Sequence, residues 1–179
     1  MIMLRFFVFG MIAGVSWSVL RGLLPSPTQA VFAAAVLYPA CEEAIRAIAV
    51  RLVQHRSPHL RTVSVIALGL GFGLWEAWPR WVYGGATLGA TGIVGTLVPI
   101  LLHIALTLLV WRWSKSGRPI LGLLICVALH ALHNGYVLLV VTNFNAAGFS
   151  IDVFVRLLVL SGAIAALVKS SERAATHQL

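Results

Sequence analysis

Read only for apolar and polar positions, the chain falls into six long apolar stretches separated by short polar breaks. A helix that crosses a bilayer needs about 20 mostly apolar residues, at about 1.5 Å each. The first stretch runs near 3–21 and stops at Pro25-Ser26-Pro27. The second runs near 28–53, ahead of the polar turn from Gln54 to Arg61, and the third near 62–83. The fourth runs near 90–113, the fifth near 119–141 and the sixth near 151–168. Pro79 is expected to kink the third helix or end it early. Gly69, Gly71 and Gly73 cannot share one helical face, so they read as close approach of neighbouring helices around Glu76. No internal repeat is visible. The pattern predicts an all-α integral membrane protein, a single membrane-embedded domain over 1–179 built as a bundle of about six transmembrane helices.

Composition strengthens this picture. Hydrophobic residues make up 60% of the chain and charged residues 10%, against about 25% charged in a soluble domain. The formal net charge of +8 reads as loop bias rather than as a nucleic-acid footprint. Arg5, Arg51, Arg56, Arg61, Arg112, Lys115, Arg118, Lys169 and Arg173 fall on one side of the predicted bundle, and Arg21, Arg80 and Arg156 on the other. The basic side is expected to face the cytoplasm, with both termini. Arg5 before an apolar run imitates a signal peptide. Arg21-Gly22-Leu23-Leu24-Pro25 stands where a small-residue cleavage site would be, so the segment reads as a first spanning helix. Cys41 and Cys126 lie inside apolar stretches and read as packing residues rather than a disulfide framework.

Against this background the ionisable residues inside the helices stand out, because charge at such depth is costly. Glu42, Glu43 and Arg46 share the second helix, Glu76 the third, His103 the fourth, and His130, His133 and Asn134 the fifth. Counted from one membrane face, most of these fall at a depth of roughly 15–23 Å. Four consecutive helices thus place acid, imidazole or amide groups in one slab, which reads as a single buried polar site. Arg46 lies i+4 from Glu42 and i+3 from Glu43, so it can pair with either. His130 and Asn134, also i, i+4, share a face, with His133 slightly off it.

Each element has a plainer reading. The Glu-Glu-Arg group can be a buried ion pair, although one acid would suffice for that. Glu76 can simply bond a neighbouring helix, His103 can be a packing histidine, and His133 a supporting or core residue. Cys41 as a nucleophile lacks a stated activating environment. His55 and His59 belong to a solvated turn.

Carboxylate and imidazole at a buried, wettable point can activate water, and a histidine with an asparagine amide opposite can donate to an oxyanion. The same inventory can bind zinc through Glu42, Glu76, His103 and His130. No His-Glu-x-x-His helix is present. Spacing leaves both chemistries open.

Glu42-Glu43-x-x-Arg46, Phe72-x-x-x-Glu76, His103 and His130-x-x-x-Asn134 resemble the four motifs of the CAAX-protease and bacteriocin-processing superfamily, and its PrsW-like branch more closely. The resemblance covers about Tyr38 to Asn134. It implies an intramembrane glutamate-type endopeptidase without a metal cofactor, in which Glu42 activates water with Glu43 beside it. His130 and Asn134 would bind the oxyanion, and His103 would match the third-motif histidine. The substrate would be a membrane-anchored protein or peptide, and the location a prokaryotic inner membrane, multi-pass. Two departures stand: Arg46 comes one residue sooner than in the main branch, and Glu76 replaces a histidine. His103 is therefore expected to take the imidazole role, with Glu76 as a second acid, Arg46 as support and His133 in a lesser part. The superfamily also includes a scaffold subunit, so a non-catalytic membrane partner is the alternative, and a zinc-dependent protease another. Six helices without a repeat argue against a transporter.

Overall fold

A computed structural model of the chain describes residues 2–22, 33–56, 62–83 and 90–141. Among them there are helices and no strand. Helix α1 spans Ile2–Gly22, α2 Tyr38–Arg56, α3 Thr62–Tyr83, α4 Ala90–Lys115 and α5 Pro119–Val141. The predicted sixth helix, near 151–168, lies outside the described residues, as does the expected start of the second.

Two local expectations change. The second helix enters through a π-helical turn, Ala33–Leu37, before α2 proper begins at Tyr38. Pro39 has no N–H to give the carbonyl four residues earlier, and the wider π turn accommodates that break in the ladder. Further on, α3 does not stop at Pro79 but continues to Tyr83.

The helices close a ring in the spatial order α1, α3, α4, α5, α2, with α2 packed back on α1 and also across on α4. Helix α4 is the most enclosed, with Leu102, Leu106, Leu109 and Val110 buried against Val50 and Val53 of α2, Val65 and Leu68 of α3 and Cys126 of α5. A second cluster joins Ala13, Tyr38, Ala49 and Phe72. Among the described residues one segment, Thr96–Lys115, is long and apolar enough to cross a membrane. Leu4–Ser16, Thr62–Trp78 and Pro119–Gly135 are shorter apolar stretches.

Glycine sets the spacing of α3 from both neighbours. A Cβ on Gly73 would stand 2.9 Å from Ile100 Cα and 3.3 Å from His103 Cβ, and one on Gly69 2.8 Å from Ile104 Cα. Gly71 faces the other way, where a Cβ would collide with the carbonyl of Phe7. The alternate glycines therefore serve two seams, Gly69 and Gly73 against α4 and Gly71 against α1.

Candidate active site

Where α2 meets α4, between α3 and α5, the polar residues converge. Glu42, Glu43, Arg46, His103 and His130 are all buried. Three of the five acidic residues in the sequence, Glu42, Glu43 and Glu76, gather here. The helical period places Glu42, Glu43 and Arg46 on adjoining positions of one turn. The guanidinium takes both carboxylates, Nη2 donating to Glu42 Oε1 at 3.0 Å and Nη1 to Glu43 Oε1.

The contacts between helices fix what spacing left open. His130 Nδ1 lies 2.7 Å from Glu43 Oε1 and 3.8 Å from Glu42 Oε1. Arg46 Nη2 also contacts His103 Nδ1, and His103 Nε2 contacts Glu76 Oε2. A guanidinium is a donor only. His103 Nδ1 must therefore accept from Arg46, which leaves the ring proton on Nε2, donated to Glu76. The same logic puts a proton on His130 Nδ1, facing the Glu43 carboxylate. Each histidine thus has a defined tautomer, set by its charged neighbours.

Phe72 completes the enclosure. Arg46 Cζ lies 4.7 Å from the centre of its ring, within cation–π range. His103 packs on Phe72 with ring centres 5.3 Å apart and meets His130 edge-on at 5.5 Å. Gly73, one residue beyond Phe72, admits α4 closely enough for Glu76 to reach His103.

The two adjacent glutamates differ. Glu43 is fully buried, with Oε1 shared by Arg46 and His130 and with Oε2 lacking a hydrogen-bond partner among the described residues. Glu42 lies between the two imidazoles, with His103 Nδ1 at 3.4 Å and His130 Nδ1 at 3.8 Å. Glu76 is the acid with access to the outside, its side chain 24% exposed.

Of the residues expected in the site, Glu42, Glu43, Arg46, His103 and His130 form one contiguous cluster, and Glu76 joins it through His103. His133 is buried further along α5. Asn134 is half-buried one turn beyond His130, and no side-chain hydrogen bond ties it to the cluster among the described residues. The oxyanion role expected of His130 is narrowed by this geometry. Its Nδ1 is committed to Glu43, so donation to a substrate falls to Nε2 and needs the doubly protonated ring. The contact of Arg46 with His103 was not anticipated from spacing, because it crosses between helices and i, i+4 arithmetic speaks only within one.

Glu42, His103 and His130 each offer a metal-ligand atom, all within 4.8 Å of one another. These are donor types that zinc takes. The fit fails at two atoms: the His103 Nδ1 lone pair, which faces Glu42, already accepts from Arg46, and His130 Nδ1 carries the proton it gives to Glu43. A metal bound there would have to displace the guanidinium.

Comparison with models of protein families, with curated proteins and with solved structures finds no match to this chain.

Proposed function

We propose that the chain is a membrane-embedded peptidase of the glutamate type, related to the PrsW-like branch of the CAAX-protease and bacteriocin-processing superfamily. The observation that carries this reading is the convergence of Glu42, His103, Glu76, Glu43 and His130, drawn from four helices, on one buried point. A lone structural ion pair needs one acid and one base. Here three carboxylates and two imidazoles are linked with a single guanidinium in one chain of polar contacts, which is equipment for holding and moving protons.

Membrane embedding is supported by the outer faces of the bundle. Leu4, Val8, Ile12, Val15 and Val19 form an exposed stripe at helical spacing along α1. Ile120, Leu121, Leu124 and Leu132 do so on α5, and Leu97 and Leu101 on α4. Soluble monomers rarely leave contiguous apolar surface beyond a few hundred Å² uncovered. Helices α1, α3, α4 and α5, with 21, 22, 26 and 23 residues, reach about 30 Å or more at 1.5 Å per residue, matching a hydrocarbon core. The basic side would face the cytoplasm of a prokaryotic cell.

In this reading Glu42 takes the proton of a water as its oxygen attacks a peptide carbonyl, and the proton passes to the leaving amine. Glu42 stands within 4 Å of both imidazoles without being tied up by either, which makes it the base best placed for this. Glu76 orients His103 through Nε2, and Glu43 orients His130 through Nδ1. His130 Nε2 and Asn134 would donate to the oxyanion. The substrate would be a membrane-anchored protein or peptide whose segment unwinds to reach the site. A zinc-dependent form of the same activity rests on the Glu42, His103 and His130 donors and is weakened by Arg46 at His103 Nδ1.

The test is cleavage of a candidate membrane-anchored peptide by purified protein. Glu42→Gln is expected to lose activity by about 10²–10⁴-fold, the range for a general base. Glu43→Gln should lose less, because it acts through His130. Unchanged cleavage in both variants would remove the carboxylate mechanism. A stable co-purifying membrane partner without turnover would replace it with the scaffold reading.

A further inference from the structure

Two acceptors face each other across the centre of the cluster: Glu42 Oε1 and His103 Nδ1 are 3.4 Å apart. Neither carries a proton to give the other, since the Nδ1 lone pair is turned toward Arg46. Such a pair is repulsive unless a cation or a donor lies between its members. Arg46 Nη2 is that group, hydrogen-bonded to Glu42 Oε1 at 3.0 Å and to His103 Nδ1. His130 Nδ1 stands 3.8 Å from the same carboxylate oxygen. Ligands of a tetrahedral zinc, at about 2.0–2.2 Å from the metal, stand about 3.3–3.6 Å from one another. The three donor atoms lie within 4.8 Å of one another, somewhat wider than a closed metal site, and Arg46 Nη2 bridges two of them, Glu42 Oε1 and His103 Nδ1.

We propose that Arg46 is the resident cation on the Glu42 and His103 members of a Glu42, His103 and His130 donor set, so that the wild-type chain binds no divalent metal there and removal of the guanidinium, with the His130 proton passing from Nδ1 to Nε2, creates a zinc-type site. Three features fit this assignment. The guanidinium is buried together with its acceptors Glu42, Glu43 and His103, and it is permanently charged, so it cannot leave the site by deprotonation. Phe72 lies 4.7 Å from its Cζ, fixing the plane in which Nη2 is presented. Nη1 is anchored on Glu43, the acid that lies outside the three-donor set. Arg46 is in this sense a positioning residue: it holds the Glu42 and His103 lone pairs toward one point, as a metal would, without offering a Lewis-acid centre.

The inference rests on the cluster geometry, and its test does not use peptide cleavage, so it stands or falls apart from the protease reading. Purified wild-type protein and Arg46→Ala, each confirmed as folded by circular dichroism, are titrated with zinc and, separately, with cobalt(II). Wild type is expected to show no stoichiometric zinc and no tetrahedral cobalt absorption. Arg46→Ala should gain both, binding zinc at least about a hundredfold more tightly than wild type, the direction set by removing a like charge about 4 Å away. Adding His103→Ala to that variant should abolish the gain, and guanidinium chloride should compete with zinc in Arg46→Ala alone. If Arg46→Ala does not fold, Arg46→Gln, which keeps the stem and removes the charge, carries the same expectation. Stoichiometric zinc in the wild type that is lost in His103→Ala would overturn the assignment. So would a folded, neutral Arg46 variant with no gain in metal affinity.

Discussion

Helix α3 presents two glycine-lined seams that look alike in packing and differ in consequence. On one side Gly71 lets α1 approach, with Gly10 on the facing helix equally close to the α3 backbone near Leu68 and Phe72. The residues that meet at these two glycines, Phe7, Met11, Leu68 and Phe72, are uncharged. On the other side Gly69 and Gly73 admit α4, and the approach delivers Glu76 to His103. The same device of omitted side chains, which gives dispersion contacts between apolar helices, only packs helices in the first seam and brings an acid to an imidazole in the second. Close packing in an apolar bundle is thus not evidence of function by itself. What matters is which side chains the approach brings within reach.

The comparison is broken most sharply at the two glycines. In Gly73→Ala the new methyl meets the α4 backbone at Ile100 Cα and the side chain of His103, displacing α4 where it carries the imidazole. Cleavage is expected to fall by about 10²-fold, the cost of a misplacement near 1 Å. Gly71→Ala should cost about 1–3 kcal/mol of stability, as overpacking does, read as a lower melting temperature in detergent. Its activity per folded molecule should match wild type. Equal losses of specific activity in the two variants would mean that α1 belongs to the site and that the two seams are not distinct.

Phe72 sits on the line between the seams, buried toward α1 and stacked on Arg46 and His103. Phe72→Leu keeps apolar bulk and removes the aromatic face. Loss of the cation–π contact, about 0.5–2 kcal/mol, should lower cleavage roughly tenfold or less, with kcat affected more than KM because Arg46 touches no substrate. A change confined to thermal stability would assign Phe72 to the α1 seam instead.

Much of this organisation can be read from the residues, and the parts that cannot have a common cause. The bounds of α3 and α5 follow from apolar runs closed by proline, glycine or basic clusters, and they match the expected 62–83 and 119–141. The pairing of Arg46 with both glutamates follows from the helical period. Residue counting along each helix gives the height of Glu76, His103 and His130 but not their azimuth. It therefore brings them to one level without saying who touches whom. The division of labour between Glu42 and Glu43 was illegible for that reason: it depends on His130 of α5 reaching Glu43 and on His103 of α4 lying beside Glu42. The π turn ahead of α2 carried a signal in Pro39, because an imino acid early in a helix removes a ladder donor.

The smallest effect is expected at a second place, among the described residues, where α2 and α4 exchange polar contacts. Ser114 Oγ donates to Gln54 Oε1 at 2.9 Å, and Gln54 Nε2 donates to the carbonyl of Trp111 at 3.4 Å. Like the Arg46 cluster, this is a bridge between the two helices that meet across the bundle. Unlike it, the bridge is uncharged, partly buried and eleven residues along α2 from Glu43, about 16 Å away at the helical rise. Ser114→Ala removes one neutral hydrogen bond, worth about 0.5–1.5 kcal/mol, and leaves the Gln54 contact with Trp111 in place. Melting should shift down slightly while cleavage is unchanged. A loss of cleavage in Ser114→Ala comparable to that in Phe72→Leu would mean that the register of α2 on α4 is set from this end. The cluster would then depend on a remote hydrogen bond as much as on its own charges.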